Sequence, residues 1–233
     1  MLHRLFLACL AGLLGLNIGI YATTEPETAR AIQDVRNRVE YVETILPQAM
    51  PEYLVALAVN SYVVGHVSAP AYGYLSESDR GSLLRSTDGI LRAGAGICGE
   101  AATVAIALYA ALGVESRRVV VWYDLPDGTA AGHTTTEVRY GDAWHWFDPT
   151  WGVFYEGEGV YALVDVIQMS ANVRANFYVG NDSRLWMRAV RASGVLDGPL
   201  AFLGFPSVRV EVEGQVIYER TGSWGNEAAD AVD

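Results

Sequence analysis

One thiol, one imidazole and one carboxylate stand out along the 233-residue chain: Cys98, His133 and Asp148. Brought together, they are the parts of a thiol acyl-transfer site. A thiolate attacks a carbonyl, an imidazole takes up and returns the proton, and a carboxylate orients the ring. Cys98 follows a glycine-rich approach, Gly94-Ala-Gly-Ile, and stands just ahead of an apolar run over 101–112. That run reads as a helix buried on most sides, stopped by Gly113 as the residue after its C-cap. A cysteine in the first turn faces unpaired N–H groups and the positive end of the helix dipole, which favour the thiolate. Glu100, two residues on, is expected to repel it mildly. Taken alone, the segment fits a buried structural cysteine more often than a reactive one.

The register of a hairpin selects the other two residues. A strand-like run ends at Tyr140, and Gly141-Asp142 forms a two-residue loop. An aromatic run, Ala143-Trp-His-Trp-Phe-Asp148, then ends at Pro149. The loop pairs Tyr140 with Ala143. Counting back, His145 meets Val138, and Thr135 meets Asp148. His133 shares a face with Thr135, so Asp148 lies diagonally across from His133, within reach of two side chains. His145 points to the opposite face. Of the hairpin's two histidines, only His133 can meet the carboxylate.

These residues and their flanks resemble the transglutaminase-like superfamily of cysteine enzymes. The matching pattern is Gly-x-Cys-Gly-x-Ala at 96–101, Ala-Leu-Gly-Val-x-x-Arg at 111–117, a strand-opening His133, and Trp-x-x-x-Asp-Pro-Thr at 144–150, all within 83–154. The resemblance implies Cys98 as nucleophile, His133 as its base and Asp148 as the orienting acid. It implies an α+β fold with a papain-like/transglutaminase-like core, in which the helix bearing the cysteine packs on an antiparallel sheet. The Cys98 backbone N–H at the helix start is the expected oxyanion donor. Family members take a second donor from an upstream aromatic or Gln; Tyr72 and Tyr74 are candidates here, at a spacing that is not diagnostic. Trp144, Trp146 and Trp151 are candidates for the substrate cleft, and equally for the core. The papain-type flank Cys-Gly-Ser-Cys-Trp is absent.

The elements that must position these residues follow from periodicity. A helix is expected from about Thr24, read as a capping box with Glu27, to Leu46; it could be a stalk or pack on the domain. A second helix runs from about Pro51 to Val63. His66 is expected to be a surface or core histidine. The segment 68–76 reads as a loop, and 77–92 is weakly helical. A strand over 118–123 and a turn at Leu125-Pro-Asp-Gly128 follow the Cys98 helix. Beyond a flexible connection at 156–159, helices are expected over 163–173 and 183–192. A second hairpin spans 208–212 and 215–218 around Glu213-Gly214. At least three strands beside the helix make an α+β pattern.

Met1-Leu-His-Arg4 precedes an apolar run over 5–22. It is long for a signal-peptide core and just long enough to span a membrane, so a retained N-terminal anchor is slightly preferred to a cleaved signal. Either way the remainder is exported, periplasmic or extracellular, and membrane contact is through this segment. The domain reading is 1–22 as signal or anchor, 23–221 as one transglutaminase-like domain, and 222–233 as a disordered acidic tail. The exported part then holds a single cysteine, which can form no internal disulfide. Cys9 reads as filler of the apolar segment.

Formal net charge is −11, which excludes nucleic acid as an expected partner. All 16 basic residues are arginine. With one exported cysteine and scattered histidines, no metal-ligand cluster and no cofactor is expected, and no EF-hand-like loop for calcium is present in the sequence. The expected function is an exported thiol-dependent acyl-transfer enzyme acting on amide bonds of a peptide or protein. Hydrolysis is preferred to crosslinking. The rival is a non-catalytic binding or scaffold module of a membrane-associated complex that kept the fold.

Overall fold

The computed structural model describes residues 26–67, 73, 86–125, 127–155, 162–168, 177–179 and 207–222. The expectations for the apolar N-terminus, the Thr24 cap, the 156–159 connection, the 183–192 helix and the acidic tail lie outside these residues. Among the described residues, no helix is long and apolar enough to cross a membrane.

Among the described residues, four helices precede the sheet. Helix α1 spans Pro26–Ile45, α2 Pro51–His66, α3 Thr87–Ala93 and α4 Cys98–Ala111. Proline opens both α1 and α2, where its missing N–H costs nothing. Of the two settings open to α1, packing on the domain is the one found: Ala31 and Val35 are fully buried among residues of the other helices. Its first N–H groups are capped from a distance. The N–H groups of Glu27 and Thr28 donate to Asp88 Oδ1 of α3 at 2.6 and 3.1 Å. Asp88 Oδ2 accepts from Arg92 one turn on. Helix α3 begins only at Thr87, where Ser86 Oγ accepts from the Gly89 N–H at 3.1 Å, and ends on left-handed Gly94.

Among the described residues, seven strands follow these helices and form one antiparallel sheet, where sequence periodicity indicated at least three. They are β1 Ser116–Asp124, β2 Ala130–Tyr140, β3 Ala143–Asp148, β4 Val153–Tyr155, β5 Phe177–Val179, β6 Val208–Val212 and β7 Gln215–Arg220. A short helix, α5 Leu163–Gln168, lies between β4 and β5 in the chain. The sheet order is β5-β4-β3-β2-β1-β6-β7. Glu213 and Gly214 both carry positive φ, 51° and 78°, as a two-residue loop matched to strand twist requires.

Alternation along the strands separates two apolar layers. Val138, Tyr140, Phe147 and Phe154 pack against Ala101, Val104, Leu108 and Tyr109 of α4 and against α2. Val119, Val121, Trp146 and Val210 form the other layer with Leu163, Val166 and Ile167 of α5. Each fully buried Val or Leu contributes roughly 1.5–3 kcal/mol, so α4 is held along most of its length and its first turn is fixed in place.

Candidate active site

The candidate site begins where the chain changes from α3 to α4. Gly96 is buried here because nothing larger fits. A Cβ on it would stand 2.9 Å from Val67 Cγ1 and 2.9 Å from Glu100 Cβ. The next residue, Ile97, caps α4, and Cys98 is its first helical residue. Glu100 turns its carboxylate back to accept from the Ile97 N–H at 2.9 Å. It therefore serves the helix end. The helical ladder starts with the Ala101 N–H, 2.9 Å from Ile97 O. The N–H groups of Cys98 and Gly99 thus fall ahead of it, in the unladdered first turn.

The β2–β3 hairpin has the register expected from its loop: Tyr140 faces Ala143, Val138 faces His145, and Thr136 faces Phe147. Beyond that last pair, β3 ends and β2 runs on toward its N-terminal end. Cys98 sits beside this freed edge, where it takes a hydrogen bond from the Thr134 backbone and another from the His133 side chain. His133 Nε2 lies 2.6 Å from Asp148 Oδ2, which leaves Nδ1 as the ring nitrogen facing the sulfur. Asp148 is fully buried, and His133 is 8% exposed. Pro149 has no N–H to offer, so the next donor is Thr150, whose N–H reaches Asp148 Oδ1 at 3.0 Å. The two carboxylate oxygens are divided between the turn and the histidine.

A set of buried polar contacts steadies this corner. Thr135 Oγ1 donates to Phe147 O at 2.8 Å and accepts from Trp146 Nε1 at 2.9 Å. Thr136 Oγ1 donates to the same carbonyl at 2.9 Å. Further along β2, Glu137 is fully buried. It accepts from Arg117 Nε at 2.8 Å and from the Leu163 N–H of α5 at 2.8 Å.

The electrostatics favour a charged pair. Burial pushes the Cys98 thiol up, but the hydrogen bond and charge of His133 and the Thr134 N–H outweigh it, and the thiol ends below its ordinary range. Burial pushes His133 down. The charge and hydrogen bond of Asp148, with a smaller contribution from Cys98, outweigh that and raise it to about 10. Low thiol and high imidazole together describe a thiolate beside an imidazolium.

Other sequence candidates fall elsewhere. Trp146 is fully buried in the α5 layer and cannot wall an open cleft. Trp144 pairs with Arg139 near the hairpin loop, with the Arg117 guanidinium 4.1 Å above its ring. It stands six residues along β2 from His133, about 20 Å at strand rise, so it does not wall the site either. Trp151, partly buried, packs against the α5 layer. Tyr72 and Tyr74 lie outside the described residues. His145 stacks on Tyr140, with ring centroids 3.6 Å apart, away from the thiol. His66 is an exposed residue stacked on Tyr62. Two side chains not singled out from sequence do flank the site. Trp122 lies over Gly132, beside His133. Tyr123 feels the charge of Cys98. Their signal is the β1–β2 register, which a single run of β-branched residues does not disclose.

Residues 39–149 match the family model of the transglutaminase-like superfamily. Four solved chains match by fold. One is a TGase, 16% identical, with a TM-score of 0.36 over 71% of this chain and 42% of that one. Another is a proposed cysteine protease from Cytophaga hutchinsonii, 15% identical, with a TM-score of 0.35 over 89% of this chain and 62% of that one. The chain therefore spans less than two thirds of either structure. No curated protein matches it.

Proposed function

We propose that the protein is a thiol-dependent acyl-transfer enzyme acting on amide bonds, with Cys98 as nucleophile, His133 as acid–base and Asp148 as the residue that orients His133. The observation that carries this reading is the meeting of three residues distant in sequence at one corner, with the thiol shifted down and the imidazole up. A structural cysteine needs neither shift. The superfamily match over 39–149 supports the same class.

In the proposed mechanism the thiolate adds to the substrate carbonyl. The imidazolium protonates the departing amine, leaving a thioester on Cys98. His133 then draws a proton from water, which attacks the thioester and releases the acid. Asp148 keeps the ring turned with Nδ1 toward the sulfur and stabilises the imidazolium. A peptide or protein is the proposed substrate, and water the preferred acceptor. Export, with residues 5–22 as anchor or signal, belongs to the same proposal.

The test is alkylation of the folded protein by iodoacetamide at neutral pH, run beside a survey of peptides cleaved and amines incorporated. Fast labelling of Cys98 that slows in His133→Ala supports an enzyme. Slow labelling indifferent to His133 supports a scaffold module. Cleaved peptides without amine incorporation support the hydrolase.

A further inference from the structure

A thiolate adding to a carbonyl creates an oxyanion, and one backbone N–H is a thin provision for it. The register of the central strands supplies another group. Val121 of β1 stands opposite His133 of β2, and Tyr123 opposite Ala131. Tyr123 is therefore on the same sheet face as Val121 and His133, and diagonal to His133. This is the relation that Asp148 holds from the other neighbouring strand. Diagonal neighbours lie roughly 7–8 Å apart, a gap that an aromatic side chain spans. His133 thus has the carboxylate that fixes it on one side, and Tyr123 stands on the same face of the strand on its other side. The phenol is half-buried, at the edge of the apolar layer of Val121 and Val208.

We infer that the Tyr123 hydroxyl is a catalytic hydrogen-bond donor, which joins the Cys98 backbone N–H in holding the oxyanion formed on the substrate carbonyl. The inference rests on the thiol-enzyme reading above. When the C–S bond forms, the carbonyl π electrons move to oxygen. The phenol donates to that oxygen and keeps its proton. On collapse, the C–N bond breaks and the amine leaves with the proton of His133. Nothing is oxidised or reduced, and Tyr123 returns unchanged. Burial, and then the nearby charge of Cys98, both push the phenol up, so it remains a protonated donor while the thiolate is present.

The experiment separates addition to a carbonyl from simple thiolate reactivity. p-Nitrophenyl acetate reports the first by its burst of nitrophenolate; iodoacetamide reports the second, because attack on its saturated carbon creates no oxyanion. In Tyr123→Phe, the burst rate is expected to fall about 10²-fold, the usual loss for one oxyanion donor. Iodoacetamide labelling of Cys98 and the thermal midpoint are expected to match the wild type. An unchanged burst rate overturns the inference. So does a matching fall in alkylation, which would make Tyr123 a residue that positions the thiol. A wild-type protein with neither burst nor rapid alkylation defeats the thiol-enzyme reading itself, and this inference with it.

Discussion

Asp148 Oδ2 lies 2.6 Å from His133 Nε2, and the same carboxylate accepts the Thr150 N–H through its other oxygen. The Asp-Pro-Thr turn is therefore more than the end of β3. It locks the carboxylate in the one rotation that fixes the ring.

Replacing Asp148 by Asn tests that relation. The amide keeps the shape but removes the charge that raises His133, and its NH2 end is a donor where an acceptor is needed. Burst rate with p-nitrophenyl acetate should fall roughly 10²–10⁴-fold, by analogy with losses at orienting carboxylates elsewhere. Circular dichroism should stay that of the wild type. Full activity in Asp148→Asn would show that the carboxylate has no part in the reaction.

The pH profile should be broad, because the two shifts are opposed. Cys98 is held below its ordinary value of 9.0, so acylation should rise with pH to a plateau reached earlier than for a free thiol. His133 is raised from 6.5 to about 10, so the alkaline fall should lie well above 6.5, where the imidazolium loses its proton. In His133→Ala, the acid limb of iodoacetamide labelling should move upward. An acid limb unmoved by this substitution would mean that His133 does not support the thiolate.

Gly96→Ala is expected to harm both stability and reactivity. The added Cβ meets Val67 and Glu100 atoms at 2.9 Å, and Glu100 is the residue that caps α4 at Ile97. Overpacking of this kind costs about 1–3 kcal/mol. Urea unfolding should report the loss, and Cys98 alkylation should slow because the shift occurs two residues from the thiol. Gly99→Ala is the control, since nothing lies within 4 Å of its added Cβ.

Glu137→Gln removes a buried charge from the partly exposed Arg117. Breaking a buried pair costs about 3–5 kcal/mol; the outcome here should fall near the lower end, because water still reaches Arg117. Hydrogen exchange should quicken at Leu163, whose N–H bonds to Glu137 Oε1. Unchanged exchange there would show that the amide oxygen keeps the Leu163 bond and that the lost charge does not loosen α5.

Asp88→Ala should loosen α1 by uncapping Glu27 and Thr28, read as faster proteolysis within 26–45. Burial pushes the Asp88 carboxyl up, but the N–H groups of Thr28 and Glu27 and the Arg92 guanidinium outweigh it, leaving it below 3.8. A depressed carboxyl contributes stability above its unfolded value and loses it as pH falls through the folded one. The wild-type α1 should therefore loosen only in strong acid. Equal cleavage of variant and wild type at neutral pH would discount the cap.

Some relations were legible along the chain because they are local. The Gly141-Asp142 loop sets the hairpin register, and period-two alternation then decides which histidine can meet Asp148. Gly113 and Glu213-Gly214 end their elements because positive φ is open to few residues. The apolar run after Cys98 likewise fixed a helix with the thiol in its first turn.

Other relations arise only when distant elements pack, and no spacing encodes them. Asp88 reaching the start of α1, Glu137 holding α5, and Trp146 turning inward while Trp144 lies under Arg117 are all of this kind. The placement of Tyr123 beside the site is another, since it depends on how β1 pairs with β2. The sequence by itself determined the start of the helix that carries Cys98 and the hairpin that pairs His133 with Asp148, because backbone geometry carries that information over short range. Only the tertiary structure decided that α4 sets Cys98 at the edge β3 leaves free on β2, because that meeting depends on how a buried helix packs on the sheet.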